Sequence, residues 1–195
     1  MSADPSALEE RILDAARRCV LEYGVRKTTL VEVARRAGVS RPTVYRRWAD
    51  TSTLLADLIT REFRATVSDV LLEGTDARSR LVHGLVEGAR RIREHELFVK
   101  VFTADAELFL TYIVNRLGRS QRDVLEMCSA VIRVGQQDGT IRDGDPDELA
   151  TMLLLIVQSS VQSARMVEDV LPPDALDTEL AAAVDGYLSP RGGRR

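Results

Sequence analysis

The chain has 195 residues, 45% hydrophobic and 29% charged, enough apolar side chains to bury a core and too many for a disordered tail. Its longest apolar run is the six residues Met152 to Val157, and the opening Met-Ser-Ala-Asp-Pro carries no hydrophobic segment. Neither a membrane span nor a secretory leader is therefore expected, and the expected location is cytoplasmic. Cys19 and Cys128 are each alone in an apolar surround, which excludes a disulfide framework and a zinc cluster; no cofactor and no metal is expected. Few aromatics and much Ala, Leu, Arg and Glu favour helices, so the expected fold is all-α.

Taken whole, a net charge of -3 argues against a nucleic-acid partner. Its distribution argues the other way. Residues 1–50 carry ten basic and seven acidic groups, and within Gly24 to Trp48 seven basic residues (Arg26, Lys27, Arg35, Arg36, Arg41, Arg46, Arg47) stand against Glu32 alone. A positive field so concentrated is a footprint for phosphate.

In chain order, Ser6 and Glu9 stand in capping-box spacing before apolar Leu8, Ile12, Ala16, Cys19 and Val20, which predicts a helix over about 7–23 stopped by Gly24. Thr29 and Glu32 repeat that spacing for a short helix ending at Gly38. Ser40 caps a third, with Pro42 in its first turn and Val44 and Trp48 turned inward. Asp50 starts a fourth, to about Leu72. Further helices are predicted over about 76–94, 96–103, 106–117, 119–137, 146–169 with Asp145 as cap, and 173–187, before a disordered tail at 189–195. The expected architecture is about nine helices in two domains: a basic one over residues 1–50, and a helical bundle over residues 51–188.

Two capped helices joined by a glycine turn of about four residues, the second carrying basic and hydroxyl side chains outward, are the geometry of a helix-turn-helix. Ala34 supplies a small residue where the helices cross, Gly38 tolerates positive φ, and Val44 anchors the second helix. The plainer reading is an amphipathic hairpin with a solvated basic face.

The string from Thr28 to Trp48 resembles the DNA-binding domain of the TetR family of bacterial transcriptional regulators. The resemblance covers about fifty residues, and the rest matches in length and helix pattern only. It implies a DNA-binding domain over residues 1–50 and a ligand-binding and dimerisation domain over 51–188, in a homodimer that binds double-stranded, palindromic operator DNA as a repressor released by a small-molecule effector, here expected to be apolar or amphipathic. Carried over by position, Ser40, Arg41, Pro42, Thr43 and Tyr45 fall in the recognition helix, Tyr45 on a phosphate and Arg41 and Thr43 nearest base edges, with Arg46 following. Arg47 and Trp48 stand where the family often has histidine and usually phenylalanine. Thr51 stands where a lysine commonly reaches phosphate, so that contact becomes either a weaker hydroxyl bond or one taken over by Arg47. With Thr29, these residues are the expected DNA-binding set.

Beyond this segment, Phe63, Leu85, Gly88, Phe98, Phe102, Tyr112, Met127 and Met152 are candidates for an apolar ligand pocket, because Gly84 and Gly88 inside a helix suggest space left open. Plain core packing is the competing reading. The stretch Leu149 to Val161 is apolar on all sides and so needs burial on all sides. That predicts a dimer interface of Leu153, Ile156, Val157, Ser160 and Ala164 with Leu180 and Val184 of the last helix, against the alternative of a central helix within one chain.

His83 and Glu87 lie four residues apart without a second histidine at ligand spacing, which does not make a metal site. Cys128 has no basic neighbour to activate it. No phosphate loop, nucleophile elbow or paired histidine and nucleophile is present, so an enzyme is not expected. The alternative function is a helical interaction protein docking an acidic partner. A salt titration on unrelated duplex DNA separates the two.

Overall fold

The computed structural model describes residues 5–68, 70, 73–104 and 118–190. Its α-helices are α1 (Pro5–Tyr23), α2 (Leu30–Ala37), α3 (Arg41–Arg47), α4 (Thr51–Val67), α5 (Ala77–Glu94), α6 (Glu96–Ala104), α7 (Arg119–Gln137), α8 (Pro146–Ser163) and α9 (Pro173–Leu188). No strand occurs among the described residues, as expected of an all-α chain. The expected helix at 106–117 and the tail beyond 190 lie outside them.

The predicted boundaries shift where local chemistry competes. Helix α1 already includes Pro5, so Ser6 is a helical residue and not a cap. Asp50 does cap α4, its Oδ1 accepting from the backbone N–H of Thr53 at 2.7 Å. Asp145 likewise caps α8, accepting from Asp147 and Glu148 at 2.8 and 3.2 Å. Helix α8 stops at Ser163 instead of about 169, and Ala164–Met166 tighten into a 3-10 turn. Ser160 donates its hydroxyl to the Val157 carbonyl at 2.7 Å, a local bond that competes with the helical ladder.

The chain packs as two compact units, Met1–Ala65 with His95–Gly118, and Thr66–Glu94 with Arg119–Arg195. The division expected after residue 50 is therefore not the one packing makes. Most of α4 belongs with the DNA-reading segment, because Leu54, Leu55 and Leu58 are buried in the core formed by Ile12, Ala16, Cys19 and Val20 of α1, Val33 and Ala34 of α2, and Val44 and Trp48. Leu97 of α6 joins that core, fully buried.

In the second unit, Leu81, Leu85 and Ala89 of α5 pack with Cys128 and Ile132 of α7, Leu149 and Leu153 of α8, and Leu180, Val184 and Leu188 of α9. Helices α5 and α9 run antiparallel: Arg78 donates to Ser189 Oγ at 2.6 Å near one end, and Arg93 pairs with Asp177 near the other. Gly135 is required by close approach, since a Cβ there would lie 2.4 Å from Ile141 Cδ1.

Candidate nucleic-acid interface

The interface is built from the turn outward. Thr29 in extended conformation caps α2, its hydroxyl accepting from the Glu32 N–H at 3.2 Å. Glu32 does not return the bond as a capping box would; its carboxylate accepts from Arg35 at 2.7 and 2.9 Å and from Arg36 at 2.9 Å. At the other end Gly38 adopts φ +64°, and Val39 N–H closes on the Ala34 carbonyl at 3.0 Å. That left-handed cap is why a glycine stands here. Arg11 of α1 donates to the Ala37 carbonyl at 2.9 Å, holding the end of α2.

Ser40 begins α3. Its Oγ accepts from the Thr43 N–H at 3.4 Å and lies 2.8 Å from Thr43 Oγ1. Val44 and Trp48 are buried, so α3 is pinned along one face. Arg41, Pro42, Tyr45, Arg46 and Arg47 are exposed, and Thr43 and Thr51 are half-buried. The structure thus leaves Ser40, Arg41, Pro42, Tyr45 and Arg46 exposed along α3 with Thr43 partly so, while Thr29 stands before α2 and Thr51 opens α4.

The positive field is narrower than the seven basic residues suggested. Arg36 pairs with Glu32 at 2.9 Å and with Glu22 at 2.6 Å and lies over the Tyr23 ring at 4.8 Å. Arg35 is also held by Glu32, whose carboxyl is lowered to about 2 by hydrogen bonds from Arg35 first and then Arg36. Arg47, the expected replacement for the missing lysine, is paired with Glu9 at 2.9 Å. Arg41 and Arg46 make no ion pair among the described residues and keep their full charge for an anion. The sequence could not separate these classes, because Glu9 and Glu22 reach the segment only through the packing of α1.

The other candidates are spread more widely. Phe98 is buried in the first unit with its ring 5.2 Å from that of His95, and Phe63 is half-buried there. In the second unit Leu85 is buried, Met127 is partly buried against the core, and Gly88 has room for a Cβ at 3.8 Å from Val67 Cγ1. Met152 is 43% exposed and lies with Asp147, Glu148 and Leu155 along an open depression, which is no enclosed pocket. The Phe102 side chain and Tyr112 lie outside the described residues.

Of the residues expected at a dimer interface, Leu153, Leu180 and Val184 are buried within a single chain, so a partner is not what covers them. All three belong to one core with Leu81 and Leu85 of α5 and Cys128 and Ile132 of α7. Ile156, Val157, Ser160 and Ala164 remain partly exposed, beside Leu155 at 55%. Glu87 spends its carboxylate on Arg90 and Arg91, each at 2.7 Å, while His83 faces Glu73 at 3.3 Å. Burial pushes the Cys128 thiol up to about 12, consistent with an inert core residue.

Sequence reasoning missed two side chains. Arg93 is nine-tenths buried, yet its Nη1 has no hydrogen-bond partner among the described residues, and Gln162 Nε2 is also buried without one among them. Arg93, near the end of α5, pairs with Asp177 near the start of α9, and Gln162 lies in the last turn of α8.

Residues 12–58 match the family described as bacterial regulatory proteins, tetR family. The HTH-type transcriptional regulator Mb2274c of Mycobacterium bovis is 47% identical over 188 residues, covering 96% of this chain and 98% of its own. BepR of Brucella suis, an HTH-type transcriptional repressor, is 25% identical over 163 residues, 78% of each chain. Among solved structures, the Rhodococcus erythropolis TetR-family repressor QsdR superposes with a TM-score of 0.71 at 14% identity, covering 98% of this chain and all of that one. The SmeT–triclosan complex superposes at 0.66 with 24% identity, covering 95% and 93%. The chain belongs to the TetR family: it is a DNA-binding transcriptional regulator with a helix-turn-helix, and not an enzyme. No described helix is long and apolar enough to cross a membrane.

Proposed function

We propose that this regulator is a cytoplasmic repressor that binds a palindromic operator as a homodimer and is released when a small amphipathic ligand enters the second unit. The observation that carries the DNA half is the exposed face of α3, where Arg41, Tyr45 and Arg46 are free while Val44 and Trp48 hold the helix from behind. Arginine forks suit guanine edges, and hydroxyls such as those of Thr29, Tyr45 and Thr51 suit phosphates. Arg47, already neutralised by Glu9, is assigned the lesser part.

A homodimer accounts for the side of α8 that its own chain leaves open. Met152, Leu155, Ile156 and Ser160 recur at three- and four-residue spacing, an apolar stripe with a small residue that lets a second helix approach. Leu85, Gly88 and Met127 remain the proposed apolar lining. The unpartnered donors of Arg93 and Gln162 favour an amphipathic ligand over a wholly apolar one, since a buried donor left empty costs about 1–3 kcal/mol. The repressor names of QsdR and BepR, and the triclosan held by SmeT, are consistent with this reading.

Equilibrium sedimentation of the wild type and Ile156→Asp tests the dimer. The wild type should run as a dimer and the variant, with a charge placed on the stripe, as a monomer that has lost operator affinity. An unperturbed variant dimer moves the interface elsewhere.

A further inference from the structure

We infer that Thr43 reads DNA through its methyl group, so that each half-site carries a thymine recognised by its 5-methyl, and that Ser40 sets this choice. The inference rests on the DNA-reading function of α3. A threonine in a recognition helix offers either a hydroxyl, which can bond any base edge or a phosphate, or a methyl, which can only pack. Here the hydroxyl is turned to the helix cap, with one of the Ser40 and Thr43 oxygens donating to the other. Thr43 Oγ1 lies 2.8 Å from Ser40 Oγ, the same oxygen that accepts from the Thr43 N–H as the cap of α3.

The capping role fixes where that oxygen sits, because Ser40 must hold extended backbone and aim its Oγ along the first turn. With Oγ1 turned to the cap, the staggered geometry of a β-branched side chain confines the methyl to another position on Cβ. Thr43 is the third residue of α3, within the N-terminal turn that meets base edges when such a helix enters a major groove, and it keeps part of its surface exposed beside exposed Arg41 and Pro42. Thymine is the base whose major-groove edge presents a methyl, and methyl against methyl excludes water from both.

Uracil in place of thymine removes that methyl and leaves pairing intact. The operator is first selected from random duplexes with the intact protein, and each thymine of a half-site is then replaced singly by uracil. For the wild type, one position per half-site should weaken binding about fourfold, the worth of one buried methyl, and the others should be neutral. Thr43→Val, which keeps a methyl and loses the hydroxyl, should retain that penalty. Thr43→Ser, which keeps the hydroxyl alone, should lose it. Ser40→Ala should shrink it, because a released Thr43 can rotate. Indifference of the wild type to every uracil overturns the inference, as does a penalty that survives in Thr43→Ser and vanishes in Thr43→Val. Failure to select any sequence overturns the DNA-reading function beneath it.

Discussion

The indole N–H of Trp48 donates a 2.8 Å hydrogen bond to Oδ2 of Asp57, so the residue that ends the recognition helix is fastened to α4 by a polar bond as well as by burial. Phenylalanine could fill the same core but could not make that bond. Asp57→Ala leaves the buried indole donor empty and should lower unfolding stability by about 1–3 kcal/mol, while Asp57→Asn, still an acceptor, should recover most of it. Trp48 is the one tryptophan of the chain, so its fluorescence during urea unfolding reads the loss directly. Equal midpoints for Asp57→Ala and the wild type would mean that the bond contributes nothing.

The charge pairing around α2 and α3 separates arginines that look alike in sequence. Removing unpaired Arg46 should lower the log–log salt slope of duplex binding by about one. Arg36→Ala should leave the slope nearly unchanged, because its charge is committed to Glu22 and Glu32. Titrations of the two variants on one unrelated duplex check this; equal slope changes would contradict the pairing.

Much of the DNA-reading segment was legible because its signals are local. Thr29, Gly38 and Ser40 act within four residues of themselves, and Val44 and Trp48 repeat at helical spacing. What escaped depends on distant partners. Glu9 neutralises Arg47 across thirty-eight positions, and Leu97 joins a core begun at Ile12. The all-round apolar character of 152–157 signalled burial but not by what, and Leu153 lies in a core built with α5, α7 and α9 of its own chain.

Gly135 shows a glycine whose reason is invisible in sequence. Inside α7 an alanine would be favoured by propensity, yet its Cβ would meet Ile141 Cδ1, Cγ1 and Cβ at 2.4, 2.5 and 3.0 Å. Overpacking should win: Gly135→Ala is expected to destabilise by about 1–3 kcal/mol. Thermal unfolding that shows stabilisation instead would refute the close approach.

Acid should expose the Glu87 cluster. Hydrogen bonds from Arg90 first and then Arg91 hold its carboxyl at about 2, below its ordinary 4.5. A carboxyl lowered on folding contributes stability that is full above 4.5 and is lost as the pH falls from there through about 2. Stability measured across that window should therefore fall less steeply in Glu87→Gln than in the wild type, with the variant already weaker at neutral pH. Parallel profiles would contradict the assignment.

A protection footprint across the DNA adjoining the protein's own coding region tests most directly whether α3 reads an operator through Arg41 and Arg46. The wild type should protect an inverted repeat whose half-site centres lie about 34–36 Å apart, and Arg41→Ala with Arg46→Ala should protect nothing at the same concentration while remaining folded. Equal protection of that repeat by the double variant would contradict such a role for α3.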